Sequence, residues 1–326
     1  MSAARTAVDV VRDAVSALQG PIAVTGATGW LGSVALDVLY AALGREAPAR
    51  VVPFAATGRE VTVADGRTAS VLPLARLLDL QTAPAALLHF AFLTPDRLAA
   101  LGTDEYARRN RDITEAVRSA VLGHRPAWLV VASSGAVYGD AGAHGAHPYV
   151  ELKREAEATL RAAANEAAAT YVVPRIFSLA GPGLPTDGRY ALGDLLAMAA
   201  RGGPITVRAG HQVRRTYCGA DEVVALAMWA AASGRGGVFD TGGEVVELGD
   251  LADQVARVYG LDRDAVTRAP SDGAPPDLYA GDGRVMQSLA QDARLELRSL
   301  AELVRASVSS ATGAPGDAGR RPTAPI

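Results

Sequence analysis

The chain has 326 residues, 49% of them hydrophobic, enough to bury the core of one large α/β domain or one and a half. Lysine plus arginine number 32 against 35 acidic residues, a net charge of −3, which excludes the basic field of a nucleic-acid binder. The single cysteine, Cys218, excludes an intrachain disulfide and any cysteine-based zinc site, and a reducing, cytoplasmic setting is the expectation.

Ala7, Val8, Val11, Ala14, Val15 and Leu18 recur with helical period, so residues 1–20 predict an N-terminal amphipathic helix. Asp9, Arg12 and Asp13 interrupt it, which excludes a signal peptide or membrane span there. Pro21-Ile22-Ala23-Val24 reads as a short buried strand. It is followed by TGATGWLG at 25–32 and then by the helical pattern of Trp30, Leu31, Val34, Ala35, Val38 and Leu39. Strand, glycine turn and helix in that order form a phosphate cradle. Gly26 permits the tight turn, Gly29 lets backbone approach a pyrophosphate, and Gly32 lets the helix sit close to the sheet, its first amides facing the anion. The spacing is Gly-x-x-Gly-x-x-Gly rather than Gly-x-Gly-x-x-Gly.

Residues 50–59 predict a second strand running into a turn. An acidic side chain near the end of that strand would bind a ribose 2′-OH and repel a 2′-phosphate. Ala55 and Ala56 stand there instead, with Arg59 beyond, which favours NADP(H) over the alternative NAD(H). Residues 60–78 alternate weakly, enough for a minor strand or two and a short helix. Leu87 to Phe92 is a buried strand with His89 as a hydrogen-bonded structural histidine, followed by the turn Thr94-Pro95-Asp96. A helix over 103–122, capped by Thr103 or Asp104, carries Asn110.

Ala127 to Ala132 predicts another buried strand, ending in Ser133-Ser134-Gly135. An alanine-rich helix follows from Pro148 to about Ala168, and Tyr171-Val172-Val173-Pro174 makes the next strand. The alternation over 21–175 predicts an α/β fold with a doubly wound, Rossmann-like parallel sheet. A smaller C-terminal α+β part, residues 176–204 and 243–311, is expected to bind substrate, with 205–242 partly returning to the sheet. Helices are predicted at 190–201, 220–233, 248–259 and 298–311, a strand at Val238-Phe239-Asp240, turns over 269–283 and a disordered tail over 312–326.

Tyr149 and Lys153 are four apart at the start of a helix and share a face. An ammonium near a phenol stabilises the phenolate and lowers its pKa, making the tyrosine a usable acid or base. Ser134, at the carboxyl edge of a strand, can donate to the same substrate oxygen, on the side of the sheet where the glycine turn lies.

The sequence resembles the extended short-chain dehydrogenase/reductase family, the nucleotide-sugar epimerase/dehydratase group, from about residue 21 to 305. The likeness is carried by TGATGWLG at 25–32, HFAF at 89–92, Asn110, SSGAVYG at 133–139, YVELK at 149–153, PRIFSLAGPG at 174–183 and VRRTYCGADEV at 213–223. The resemblance implies that Tyr149 moves the carbinol proton, Lys153 binds the nicotinamide ribose and tunes Tyr149, and Ser134 orients the substrate oxygen. It assigns the cofactor to Gly26, Thr28, Gly29, Trp30, Leu31, Gly32, Arg59, Ala91, Phe92, Asn110, Tyr149, Lys153 and Pro174. Substrate falls to Thr94, Ser134, Ser178 and Arg214, the last meeting a phosphate, and no metal is called for. It also implies a homodimer through helices 103–122 and 148–168.

Departures from the family pattern narrow the reading. Gly135 and Ala136 replace the Asp-Glu pair that sugar dehydratases use to eliminate water, so dehydration is not expected. Ser178 replaces the usual Asn of an Arg-x-x-Asn pattern, no aspartate for adenine is recognisable near Val71-Leu72-Pro73, and His144 and His147 read as exposed loop histidines. The leading expectation is an NAD(P)-dependent oxidoreductase of a nucleotide-linked sugar, either a keto-sugar reductase or an epimerase. The alternatives are an NADPH-dependent reductase of a non-sugar carbonyl and a non-catalytic dinucleotide-sensing protein. No nucleic-acid or membrane partner is expected.

Overall fold

The computed structural model describes residues 5–139, 147–271 and 273–309. Its largest sheet has nine strands. From one edge the order is Gly237–Asp240, Thr170–Ile176, Trp128–Val131, Ala86–His89, Ile22–Thr25, Val51–Ala55, Thr68–Pro73 and Arg59–Thr62, with Ser133–Ser134 alongside Thr170–Ile176. All pairings are parallel except the edge hairpin of Arg59–Thr62 with Thr68–Pro73. The strand order reverses between Ile22–Thr25 and Ala86–His89, so the ligand crevice of a doubly wound sheet lies outside their carboxyl ends.

The central strands are short and apolar because both faces are covered, whereas the edge hairpin is partly exposed. Their period of two divides the side chains between two cores. Ile22, Val24, Leu88, Val130 and Val172 pack with helices Ala7–Ser16, Trp30–Leu43 and Ala220–Ala232. Ala23, Leu87, Leu129, Val131 and Val173 face helices Thr103–His124 and Pro148–Ala167. These last two lie side by side, bridged on their exposed surface by Arg111 and Glu155 at 2.9 Å.

The chain after Ile176 builds two smaller sheets. Val213–Gly219 pairs antiparallel with Glu244–Glu247 and parallel with Ser178–Ala180 and Asp277–Tyr279, while Ile205–Val207 pairs with Val266–Arg268. Helices Ala191–Ala200, Leu248–Tyr259 and Leu300–Ser309 pack on them around Leu195, Tyr217, Leu251, Val255 and Leu303.

Several sequence expectations need correction. The strand at Ala86–His89 stops before Phe90, so Phe90, Ala91 and Phe92 run along the carboxyl edge rather than through the sheet. Helix Thr103–His124 starts from Gly102 at φ 75° with no side-chain cap, and Asp104 and Glu105 instead favour its positive end. The turn-rich stretch contains the strand Asp277–Tyr279, and helix Arg284–Ala293 follows with Met286, Leu289, Ala290 and Ala293 buried. The tail over 312–326 lies outside the described residues. Among the described residues no helix is long and apolar enough to cross a membrane.

One buried ionic contact ties the C-terminal segment to the sheet's helical layer. The Glu222 carboxylate, 2% exposed, accepts from the Gly219 amide at 2.8 Å, the Arg298 amide at 2.9 Å and Arg298 Nε at 2.8 Å. Removing one partner leaves buried donors unpaired. Glu222→Ala should therefore lower unfolding stability by about 3 kcal/mol, read as a lower urea midpoint.

Candidate active site

The glycine turn is held by backbone contact. A Cβ on Gly32 would lie 2.0 Å from the Gly26 carbonyl, and one on Gly26, at φ 73°, would lie 2.5 Å from the Ala91 amide nitrogen. Helix Trp30–Leu43 thus sits against the turn, and the turn against the loop that follows Ala86–His89. No side chain caps that helix at Gly29, which is itself exposed. Uncapped first amides beside a bare glycine suit the diphosphate of a dinucleotide. Thr28, Trp30 and Leu31 are partly buried around this opening. Trp30 Nε1 donates to the Pro182 carbonyl at 2.9 Å, and its ring meets Tyr190 edge-on at 5.4 Å, so the 181–190 segment lies against the cradle.

Phe92, one residue beyond Ala91, connects cradle and catalytic residues. Its ring meets Tyr149 edge-on at 5.8 Å and carries the Lys153 ammonium 3.8 Å from its centroid. Lys153 Nζ also donates to the Ala132 carbonyl at 2.9 Å. Both residues ride on helix Pro148–Ala167. Pro148 fits its first turn because φ is already helical there, and His147 Nδ1 accepts from the Tyr149 amide at 3.1 Å. His147 is therefore a helix cap; His144 lies outside the described residues.

Ser134 ends the short strand Ser133–Ser134, and its Oγ accepts from the Ala136 amide at 3.1 Å. That bond uses an oxygen lone pair, and the hydroxyl proton is left to the phenol oxygens beside it. The Tyr279 hydroxyl stands 3.3 Å away. Ser134, Tyr149 and Lys153 thus converge at the carboxyl edge, beside the glycine cradle.

The protonation states differ from the sequence expectation. Burial pushes the Tyr149 phenol up to about 12, against the pull of a hydrogen bond with Ser134, so it is not lowered in the free chain. Burial likewise pushes the Lys153 amine down to about 7, with Glu157 opposing. The ammonium stands over the Phe92 ring and 6.0 Å from the Tyr149 centroid, which is why desolvation outweighs any stabilisation of the phenolate. His89, 2% exposed, contacts Thr25 Oγ1 through Nδ1 at 2.7 Å, and burial holds it down at about 3, as befits a neutral structural histidine.

The remaining expected site residues divide. Asn110, 1% exposed, is engaged at both ends of its amide by Leu93: Oδ1 accepts from the Leu93 amide at 2.8 Å and Nδ2 donates to its carbonyl at 3.5 Å. It fixes the loop that carries Phe92. Ala91 and Thr94 lie on that loop, with the Thr94 hydroxyl donating to Asp96. Pro174 is buried within strand Thr170–Ile176, and Ser178 opens the strand Ser178–Ala180 beside Tyr217. Arg59 is exposed on the edge strand, four residues past Ala55, with no partner among the described residues.

Arg214 is exposed, and strand alternation puts it on the face opposite Arg215. Arg215 is the arginine on the Ser134 side: it pairs with Asp277 at 2.5 Å and stands 5.7 Å from the centroid of Tyr279. Tyr279, the neighbouring Phe177 at 4.7 Å and Tyr138 stacked on Phe177 at 6.3 Å form an aromatic wall that the sequence reading did not single out. The sequence does carry one further signal. Lys153 is the only lysine in the chain, every other member of the 32 lysines and arginines being arginine. Arginine keeps its charge when buried and lysine does not, so among these lysines and arginines Lys153 is the one whose charge burial can change. Among the described residues no cluster of His, Cys, Asp or Glu could hold a metal ion.

The fold is a doubly wound, Rossmann-like sheet with Ser134, Tyr149 and Lys153 at its carboxyl edge. The sequence profile described as "NAD dependent epimerase/dehydratase family" matches residues 22–249. No curated protein matches the chain. Solved structures are similar over nearly their whole length. MoeE5 in complex with UDP-glucose and NAD is 24% identical with a TM-score of 0.69, covering 90% of this chain and 98% of its own. The UDP-glucose 4-epimerase of Thermus thermophilus in complex with NAD is 20% identical with a TM-score of 0.71, covering 90% and 100%. DesIV, the dTDP-glucose 4,6-dehydratase from Streptomyces venezuelae, is 19% identical with a TM-score of 0.69, covering 89% and 96%. The chain belongs to the NAD-dependent epimerase/dehydratase family, a part of the extended short-chain dehydrogenases/reductases.

The cradle makes a prediction that separates binding from folding. A Cβ on Gly29 would meet only the Gly26 carbonyl, at 3.3 Å, from an exposed position at the start of the helix. Gly29→Val should keep the melting temperature near that of the parent while weakening dinucleotide binding at least about tenfold, or ~1.4 kcal/mol, by isothermal titration calorimetry.

Proposed function

We propose that this chain is an NAD(P)-dependent oxidoreductase of a nucleotide-linked sugar, acting at a carbinol/ketone carbon and favouring reduction of a keto group. The observation that carries the reading is the convergence of Ser134, Tyr149 and Lys153 beside an uncapped helix terminus, joined through Phe92. The names of the structural relatives, with UDP-glucose and a dTDP-sugar enzyme among them, supply the substrate class.

The nicotinamide cofactor supplies or accepts the hydride when bound. On the protein side, Ser134 turns its hydroxyl proton from Tyr279 or Tyr149 to the substrate oxygen, and Tyr149 donates its phenolic proton to that oxygen as the carbonyl is reduced. Lys153 stabilises the phenolate left behind. The phenol is protonated in the free chain, which is the form that donates when a carbonyl is reduced. Gly135 narrows the reading. It is followed by Ala136, so no carboxylate flanks Ser134, and a Cβ at 135 would meet the Phe177 ring at 2.5 Å. Neither position can supply the acid or base of an elimination.

Ala55, Ala56 and Arg59, which has no partner among the described residues, support NADPH, whereas MoeE5 and the Thermus epimerase are complexes with NAD. We favour NADPH because an edge with no acid cannot repel a 2′-phosphate and Arg59 can attract one. A reductase of a non-sugar carbonyl is the second reading, favoured by the aromatic wall of Tyr138, Phe177 and Tyr279, which suits a flat substrate.

Turnover of a panel of nucleotide keto-sugars and free carbonyls, followed by nicotinamide absorbance, decides between these readings. Activity confined to free carbonyls would remove the leading one. Tyr149→Phe should lower kcat/KM about 10²–10⁴-fold with cofactor affinity nearly unchanged. Ala55→Asp should weaken NADPH binding at least about tenfold, or ~1.4 kcal/mol, with NADH affinity held or improved, as measured by calorimetry.

A further inference from the structure

We propose that Glu157 is the positioning residue of this site, coupling the Lys153 ammonium to the seat of the Ser134 hydroxyl from one turn further along the same helix. The inference rests on the reading of Tyr149 and Lys153 as the working pair, and it adds a buried unit that the reading does not use.

Tyr149, Lys153 and Glu157 are spaced four apart and form one stripe of helix Pro148–Ala167. Glu157 is 7% exposed and fully engaged. It accepts from the Ser133 hydroxyl at 2.5 Å and from Arg175 Nη2 and Nε at 2.7 and 3.1 Å. Ser133 is the residue before Ser134, so this bond pins the strand end that presents the catalytic hydroxyl. The Tyr171 hydroxyl donates to the Glu157 carbonyl at 2.9 Å, anchoring the same turn to strand Thr170–Ile176. A buried carboxylate is costly unless fully hydrogen-bonded, and this one is. Its position between the lysine and the serine strand gives that cost a use.

The surrounding groups set the sign of its effect. Burial pushes Glu157 up, but the bonds from Arg175 and Ser133 outweigh it and hold the carboxyl below its ordinary value, so it is charged. It raises the proton affinity of Lys153 against the desolvation of that amine. From strand Ala86–His89, His89 is neutral through burial and adds no charge. From the strand behind, Arg175 is a cation whose guanidinium lies 4.8 Å from the Tyr138 centroid, and Tyr171 is a neutral phenol. On the helix itself Arg161 adds a cation near Glu157, and Tyr149 is a neutral phenol; Tyr106, on the neighbouring helix, interacts with Tyr149 and is neutral too. Glu157 is the counter-charge that acts on Lys153. Without it the desolvation of Lys153 is unopposed and the amine gives up its proton at lower pH.

The single lysine makes this directly measurable. Protein grown with lysine carrying ¹³C at Cε gives one side-chain resonance, whose pH dependence reports Lys153 alone. Glu157→Gln keeps the shape and most hydrogen bonds but removes the charge, and should move the midpoint down by about one pH unit. Arg175→Gln frees the carboxylate from its partner and should move it up. Glu157→Asp, which keeps the charge, should stay closer to the parent than Glu157→Gln. Where the reaction is measurable, the limb of the kcat/KM profile that requires a protonated lysine should shift in the same directions. Loss of packing alone lowers the melting temperature without opposite shifts in the two charge variants. Should Glu157→Gln not fold, the Arg175→Gln midpoint decides. Midpoints of either variant within about 0.3 unit of the parent, equivalent to roughly 0.4 kcal/mol, or shifts of the opposite sign, overturn the proposal. Shifts as expected in a protein without oxidoreductase activity would uphold the tuning and reject the functional reading.

Discussion

An amine out of water governs this structure. Lys153 is 7% exposed, and the protein offers it a carbonyl, an aromatic face and a carboxylate in place of solvent. The ammonium stands over a ring at 3.8 Å, a desolvated contact worth about 2 kcal/mol, less than full hydration would give, so the amine sits near the point of losing its proton. Phe92 must be where it is for that to hold. The loop that carries it is clamped by Asn110 and by the Tyr106 hydroxyl, which donates to the Leu93 carbonyl at 2.7 Å. The same loop backs onto Gly26. One short segment therefore sets both the electrostatics of the lysine and the shape of the dinucleotide cradle.

The topology explains why these groups meet. Strands Ile22–Thr25, Ala86–His89 and Trp128–Val131 are adjacent and parallel, so their carboxyl ends open on one edge, and the turn glycines, Phe92 and Ser134 all follow those ends. Helix Pro148–Ala167 brings Tyr149 and Lys153 to the same edge on its first turns. The later chain reaches the crevice twice, through Pro182 and Tyr190 beside Trp30 and through Tyr279 beside Ser134. Under the proposed function the first part of this arrangement is the dinucleotide half, and the side chains that approach from the later chain select the substrate.

Much of the dinucleotide half is legible in the sequence because its signals are local. TGATGWLG announces a strand, a turn and a helix within eight residues, and the four-residue spacing of Tyr149 and Lys153 puts them on one face whatever else the fold does. The smaller sheets are less legible. Their strands run three to seven residues, too short for alternation to register, and Asp277–Tyr279 is flanked by glycine and proline that read as turn. Helix Arg284–Ala293 does have a periodic apolar set, hidden by the same turn-rich approach.

The convergence of Ser134, Tyr149 and Lys153 is legible in the sequence, and its energetics are not. Spacing places an ammonium near a phenol but says nothing of burial, which here reverses the expected direction for Tyr149. Asn110 carries a role that its letter does not show, holding the Leu93 backbone through both ends of its amide. Arg214 and Arg215 are equivalent as letters, and only the register with Tyr279 tells them apart. The most direct test is a crystal structure of the chain with a nicotinamide dinucleotide bound. The account predicts the diphosphate on the amides that open helix Trp30–Leu43 and the nicotinamide ring beside Phe92, facing Tyr149 and Ser134. A nucleotide seated elsewhere, or a ring pointing away from Tyr149, would contradict it.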